Sequence, residues 1–203
     1  MKLNQIFSND IRISAIAGSK NSGKTNNMIH LLKDFRETDK KTPIYAYGFP
    51  ISLKSTIKKL KIKPISSLTQ LLNKASCILV LEEFQRLKLN DRRYKDTLAE
   101  FINFVYHRNV YVILSSPDIR EFNSLIGGVI QRWLLKTINI DQCVNGSQIK
   151  KVIEDYKGSY KLLGSISVPK NELLVINDDE EIVITCPYED DADHKKSNKP
   201  LFS

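Results

Sequence analysis

Eight consecutive residues constrain this chain more than anything else in it. Gly18-Ser19-Lys20-Asn21-Ser22-Gly23-Lys24-Thr25 fits the pattern G-x-x-x-x-G-K-[ST]. The pattern works only in a particular setting: an apolar strand before it and an amphipathic helix after it. Both are present. Ile11 to Ala17 (IRISAIA) reads as a strand, and Met28, Leu31, Leu32 and Phe35 recur at i, i+3, i+4 and i+7. The glycines let the backbone curl so that successive N–H groups point at a phosphate. The start of the helix adds the positive end of its dipole. Lys24 would reach the β and γ oxygens, and the Thr25 hydroxyl would coordinate Mg2+. The segment therefore predicts a nucleoside triphosphate site, for ATP above other nucleotides. Gly18, Ser19, Lys20, Asn21, Ser22, Gly23, Lys24, Thr25 and Asn26 are its nucleotide-binding residues.

The rest of the chain alternates strand with helix, which predicts a mostly parallel sheet covered by helices. Pro43 to Tyr47 reads as a second strand, and residues 67–73 as a short helix. Cys77 to Leu81 (CILVL) is a continuous apolar run of the kind buried on both faces in the middle of a parallel sheet. Leu98, Phe101, Ile102 and Val105 make another helical stripe, and Val110 to Leu114 (VYVIL) another buried strand. Residues 118–127 read as helix and Arg132 to Ile138 as strand. Further on, Gln148 to Tyr156 reads as helix. Leu162 to Val168, Leu173 to Ile176 and Ile182 to Thr185 read as short strands, with turns at Pro169-Lys170-Asn171 and Asn177-Asp178-Asp179. This divides the chain into an ATPase core over 1–145, a small β-containing extension over 146–187 packed on it, and a polar, disordered tail over 188–203.

Composition narrows the function classes. No stretch is apolar and uncharged for 18 residues, so no membrane-spanning helix is expected. The N-terminal residues lack the apolar run of a secretory signal. Cys77, Cys143 and Cys186 are odd in number and widely spaced, which argues against a disulfide framework or a zinc site and for a reducing interior. Charge is unevenly placed. Residues 1–170 hold 28 Lys and Arg against 14 acids, a net +14, and residues 171–203 hold 3 against 9, a net −6. A body this basic suits a polyanionic partner, nucleic acid first. Lys54, Lys58, Lys59, Lys61 and Lys63, in a run without one acid, are the candidates to track phosphates without reading sequence.

A phosphate loop alone does not hydrolyse anything. A carboxylate at the end of a neighbouring buried strand must help hold Mg2+, and a base must activate the attacking water. The CILVL run leads straight into Glu82-Glu83. We assign Glu82 to the metal shell and Glu83 to water activation. The VYVIL strand then ends in Ser115-Ser116-Pro117. In ATPases with an additional catalytic glutamate, an extra strand lies between the loop strand and the acidic strand, with a polar residue at its tip that senses the γ-phosphate. Ser116 is the candidate here.

These blocks resemble a known family. LVLEEFQRL (79–87) is similar to the acidic-strand motif of the FtsK/HerA superfamily of DNA-pumping ATPases, and RNVYVILSSPDIREFNSLIGGVIQRWLLKT (108–137) to the block that follows it there. The likeness covers roughly residues 11–138. The family's first acid is usually Asp and its sensor Gln or Asn, where this chain has Glu82 and Ser116. In size the chain looks most like the genome-packaging ATPases of membrane-containing icosahedral double-stranded DNA viruses, archaeal turreted ones included. The resemblance implies a RecA-like fold, Mg2+ and ATP, and a hexameric or pentameric ring acting on double-stranded DNA. It implies capsid or inner-membrane proteins of a virion as further partners, and a place in the host cytoplasm or on the virion. It also implies an arginine supplied by a neighbouring subunit to stabilise charge on the transferring phosphoryl group. Arg108 is the first candidate, Arg132 the second, and Arg92 or Arg93 the third. Two other classes are compatible with the loop: a nucleotide-gated, partition-like DNA-binding module, and a nucleoside or nucleotide kinase, although no compact arginine-rich lid is visible.

Overall fold

The computed structural model describes residue 6, residues 11–67, 70, 73–84, 96, 100, 103, 105–117, 119–123, 127–176 and 181–186. The first strand, β1 (Ile13–Ala17), is buried throughout and leads through the glycine loop into α1 (Lys24–Thr38). β2 (Ile44–Tyr47) follows, then α2 (Lys54–Lys59), β3 (Ile62–Pro64), β4 (Cys77–Leu81) and β5 (Val110–Ser116). After β6 (Arg132–Leu135) come β7 (Ile138–Asn139), α3 (Gln148–Asp155), β8 (Lys161–Leu162), β9 (Ser165–Ile166), β10 (Glu172–Ile176) and β11 (Glu181–Thr185).

Eight strands form one sheet in the order β11-β10-β6-β1-β5-β4-β2-β3. The six from β6 to β3 are parallel, and β10 and β11 are antiparallel additions at the β6 edge. The expected insertion is present: β5 pairs with β1 on one side and β4 on the other. Alternation of side chains sorts the sheet into two cores. Ile13, Ala15, Leu79, Leu81, Val112 and Leu114 face one way, toward Phe84, Phe122 and Ile153. Ile16, Ile78, Val80 and Ile113 face the other, toward Met28, Leu31 and Leu32 of α1. A strand buried on both faces cannot alternate apolar with polar, which is why CILVL and VYVIL are continuous apolar runs.

Three expectations are corrected. The described residues of 118–127 are not α-helical. They contain 3-10 turns at Ile119–Asn123 and Gly127–Val129. Pro117 and the Gly127-Gly128 pair bound the segment, and three residues per turn brings Ile119 and Phe122 together into the core. Arg132 to Ile138 is not one strand. β6 ends at Leu135, Lys136 and Thr137 leave the main sheet, and β7 joins a second, three-stranded sheet with β9 and β8. Pro169-Lys170-Asn171 is not a hairpin turn. The partner of β9 is β8, joined through Gly164 at φ 67, and residues 169–171 carry the chain back to the main sheet. The described residues of 146–187 thus contribute to both sheets, with β10 pairing directly to β6.

Gln148–Asp155 is helical as expected, capped by the Ser147 hydroxyl, which accepts from the Lys150 N–H. Val105 of the Leu98 stripe is helical and fully buried. Leu98, Phe101 and Ile102, most of the helix expected over 67–73, the Asn177-Asp178-Asp179 turn and the tail over 188–203 lie outside the described residues. No helix among the described residues is long and apolar enough to cross a membrane.

Candidate nucleotide-binding and hydrolysis site

Parallel strands deliver their C-terminal ends to one edge of the sheet, and the site forms there. β1 delivers Gly18 to Thr25, β4 delivers Glu82 and Glu83, β5 delivers Ser115 and Ser116, and β6 delivers Lys136. The loop is held from one side by the chain leaving β6: the Ser19 N–H donates to the Thr137 carbonyl at 2.9 Å. Asn21 and Gly23 adopt positive φ, 62° and 93°, and the turn at Gly23 launches α1. Lys24 is buried, and its ammonium donates to the carbonyls of Gly18 (2.9 Å) and Ser19 (2.8 Å) inside the curl of the loop. Burial lowers its pKa, opposed by the charges of Glu82 and Glu83.

Glu82 is buried at the end of β4, on the α1 side of the sheet. One carboxylate oxygen accepts from the Thr25 hydroxyl, and the other accepts from the Ser115 hydroxyl at 2.5 Å. Burial pushes its pKa up, against the pull of these two hydrogen bonds and of Lys24. The Ser115 oxygen also accepts the Glu83 N–H at 3.2 Å, so one hydroxyl ties both acids together. Glu83 itself sits at φ 48, a left-handed conformation that turns the chain. That turn sends Phe84 into the opposite core, where its ring lies 5.0 Å from Phe122, which in turn meets Trp133 edge-on at 5.4 Å. The acidic pair is therefore held from both ends, by Ser115 above and by an aromatic anchor behind.

Thr25 and Glu82 bring two hard oxygen donors into contact, a donor set that fits Mg2+. The loop fits a phosphate: its lysine is already inside the curl, and the buried Ser22 hydroxyl has no hydrogen-bond partner among the described residues. Lys20 and Asn21 are exposed at the loop's tip, and Ser19, Gly23, Thr25 and Asn26 are half-buried along its rim. Ser116 is fully buried, but alternation puts it on the face of Leu114 and Ala17, away from Glu82. The residue of this strand that touches the acid is Ser115. Sequence reasoning passed over it because two adjacent serines at a strand end look alike until the pleat is known. Arg108 is half-buried just before β5, at the end of the sheet opposite the loop, and Arg132 is buried at the start of β6. Arg92 and Arg93 lie outside the described residues.

Gly48 supports the acids from the other side. A Cβ there would lie 2.0 Å from the Glu82 carbonyl oxygen, and its φ of 85° belongs to glycine. Glu82 donates its N–H to Tyr47 at 2.9 Å in the same turn. Gly48→Ala is expected to cost about 1–3 kcal/mol from backbone strain alone, with the displaced Glu82 adding to it. A denaturant midpoint that matched the parent's would refute that.

No protein-family model matches the chain, and no curated protein matches its sequence. Solved structures do match. ATPases 2 and 3 of EccC from Thermomonospora curvata, in complex with a signal sequence peptide, give a TM-score of 0.62 at 12% identity over 90% of this chain. The pCW3 conjugation coupling protein TcpA with ATPγS gives 0.56 at 10% identity over 92%. The genome packaging NTPase B204 of Sulfolobus turreted icosahedral virus 2, in complex with ATPγS, gives 0.51 at 12% identity over 89%. The chain shares the RecA-like fold of these structures, a mostly parallel sheet covered by helices. It spans 38% of the EccC chain, 63% of TcpA and 98% of B204. The expected fold is therefore borne out.

Proposed function

We propose that this protein is a Mg2+-dependent ATPase that moves double-stranded DNA, working as a ring subunit of a genome-packaging motor. The observation that carries the reading is the Thr25–Glu82–Ser115–Glu83 chain of contacts beside Lys24, on a sheet with β5 inserted between the loop strand and the acidic strand. A kinase needs a base for an acceptor hydroxyl. Here the second acid follows Glu82 at the end of β4, its charge acts on Lys24, and in this reading it faces a water in line with the γ-phosphate. Glu83 takes the proton of that water as its oxygen bonds to phosphorus, the bond to the β-phosphate oxygen breaks, and Lys24 holds the leaving charge. Thr25 and Glu82, the latter through water, would hold Mg2+, which neutralises phosphate charge when bound.

Arg108 suits an arginine acting on a neighbour's nucleotide. A ring interface is head-to-tail, so each subunit presents its loop on one side and its finger on another. At the tip of β5 the γ-phosphate sensor of this reading is Ser115, which touches Glu82, in place of Ser116, which is buried on the opposite face. Lys54, Lys58, Lys59, Lys61 and Lys63 are all exposed at the β3 edge, while Ile57, Leu60 and Ile62 between them pack inward. That is the form expected of a lysine run that tracks a phosphate backbone. The packaging part of the reading draws on the fold likeness to the genome packaging NTPase B204, and capsid or inner-membrane partners and a place in the host cytoplasm or on the virion are proposed with it.

The test is ATP hydrolysis with and without double-stranded DNA. We expect stimulation by DNA that weakens steeply with salt. Replacing all five lysines by Gln should remove most of the stimulation and reduce the salt slope by up to about 4–5, since each phosphate contact contributes about 0.9. Turnover indifferent to DNA would sink the translocase reading, and turnover only with a nucleoside acceptor would make the protein a kinase.

A further inference from the structure

Lys136 is a lysine with no exposed surface, one residue past β6, and nothing in the hydrolysis scheme uses it. Its ammonium donates to three backbone carbonyls: Pro169 at 2.6 Å, Lys170 at 3.1 Å, and Glu172. These carbonyls belong to one short strap, Pro169 to Glu172, which carries the chain from the small sheet back to β10. The strap lies across the start of α1. A Cβ on Gly23 would lie 2.7 Å from the Lys170 carbonyl oxygen, and the Asn27 amide donates to the Glu172 carbonyl at 3.3 Å. On its other side Lys136 abuts the first residue of the phosphate loop. Its N–H donates to Ala17 at 2.9 Å, and a Cβ on Gly18 would come within 2.4 Å of the Lys136 Cβ. Thr137 repeats the arrangement. Its carbonyl accepts from Ser19 in the loop, and its hydroxyl donates to the Val168 carbonyl just before the strap. Two consecutive residues therefore hold the loop by their backbone and the strap by their side chains.

We infer that Lys136 is a positioning residue for the phosphate loop: it clamps the Pro169–Glu172 strap onto the start of α1 and so sets the loop's shape without touching nucleotide. The inference rests on the nucleotide-binding reading of that loop. A lysine suits the task because an ammonium has three protons for three carbonyls that would otherwise be buried with fewer donors. Burial lowers the amine to about 8, with Cys186 and Glu172 opposing the shift and Lys24 adding to it, so the clamp is charged at neutral pH. Closing the loop from the strap side fixes the direction of its N–H groups before a phosphate arrives, and preorganisation of that kind raises affinity by removing an ordering cost.

Hydrogen exchange on the nucleotide-free protein tests this directly, comparing the parent with Lys136→Met. Residues 18–25 and 169–173 should exchange at least about ten-fold faster in the variant, while β4 and β5 keep their protection. With ATP, KM should rise about ten-fold and kcat stay within about two-fold, the pattern of lost ground-state binding. Unchanged exchange over 18–25 overturns the clamp whether or not the protein hydrolyses ATP. A fall in kcat with KM unchanged overturns it too. Faster local exchange in a protein whose parent form binds no ATP would uphold the clamp and refute the nucleotide reading instead. If Lys136→Met loses protection throughout the sheet, Asn27→Ala releases the same strap from the α1 side. The same local pattern is expected there, and its absence overturns the inference.

Discussion

Glu83→Gln is expected to abolish most ATP hydrolysis, by about 100- to 10,000-fold in kcat, while ATP still binds. The amide has nearly the shape of the carboxylate, and the backbone features that hold the residue in place are unchanged. Its N–H still donates to Ser115, its φ of 48° is unchanged, and Phe84 still anchors the turn. What is lost is the ability to accept a proton from water, together with the negative charge that acts on Lys24. Single-turnover hydrolysis beside an ATPγS binding curve separates the two effects. A variant that turns over ATP at the parent rate would move the base elsewhere. Equal loss of binding and turnover would mean that Glu83 shapes the loop rather than activating water.

Lys24→Met should act the other way round. Its ammonium is the cation inside the loop, and charge-assisted bonds to phosphate oxygens are worth about 1.5–3 kcal/mol, so ATP affinity should fall roughly 10- to 100-fold. Without nucleotide the same substitution should leave stability intact or raise it. Burial lowers the Lys24 pKa, so the folded state holds this proton less tightly than the unfolded chain does. Between the folded pKa and the ordinary value of 10.5, the unfolded state binds more protons, and stability rises with pH across that window. Below it the buried charge is a standing cost that Met does not carry. Thermal melts with and without Mg-ATP read both signs: the parent should gain markedly from nucleotide and the variant hardly at all. A variant that melts well below the nucleotide-free parent would show that the two carbonyl contacts of Lys24 outweigh the cost of burying its charge.

The glycine loop, the buried runs CILVL and VYVIL and the Glu82-Glu83 pair are all local signals. Each arises from short-range chemistry: curvature at Gly23, burial on both faces of a parallel strand, carboxylates at a strand end. They settle the fold class and the order in which the site's parts leave the sheet. The lysine run is legible in the same way, because exposed Lys and buried Ile alternate on a short helix and an edge strand.

What the local signals leave open is set by the pleat and by distant contacts. Ser115 and Ser116 are neighbours in sequence, yet alternation of side chains gives only Ser115 a line to Glu82. Lys136 reads as the middle of a strand until the chain is seen to change sheets there. Its amine then has partners 33 to 36 residues away. Nothing in the local sequence singles out Gly48, and only the approach of Glu82 makes glycine obligatory there. By itself the sequence determined that this chain would build a phosphate loop beside an acidic strand end. The tertiary structure decided which hydroxyl joins the acids and which lysine braces the loop, because both depend on pairings across the sheet that no local pattern encodes.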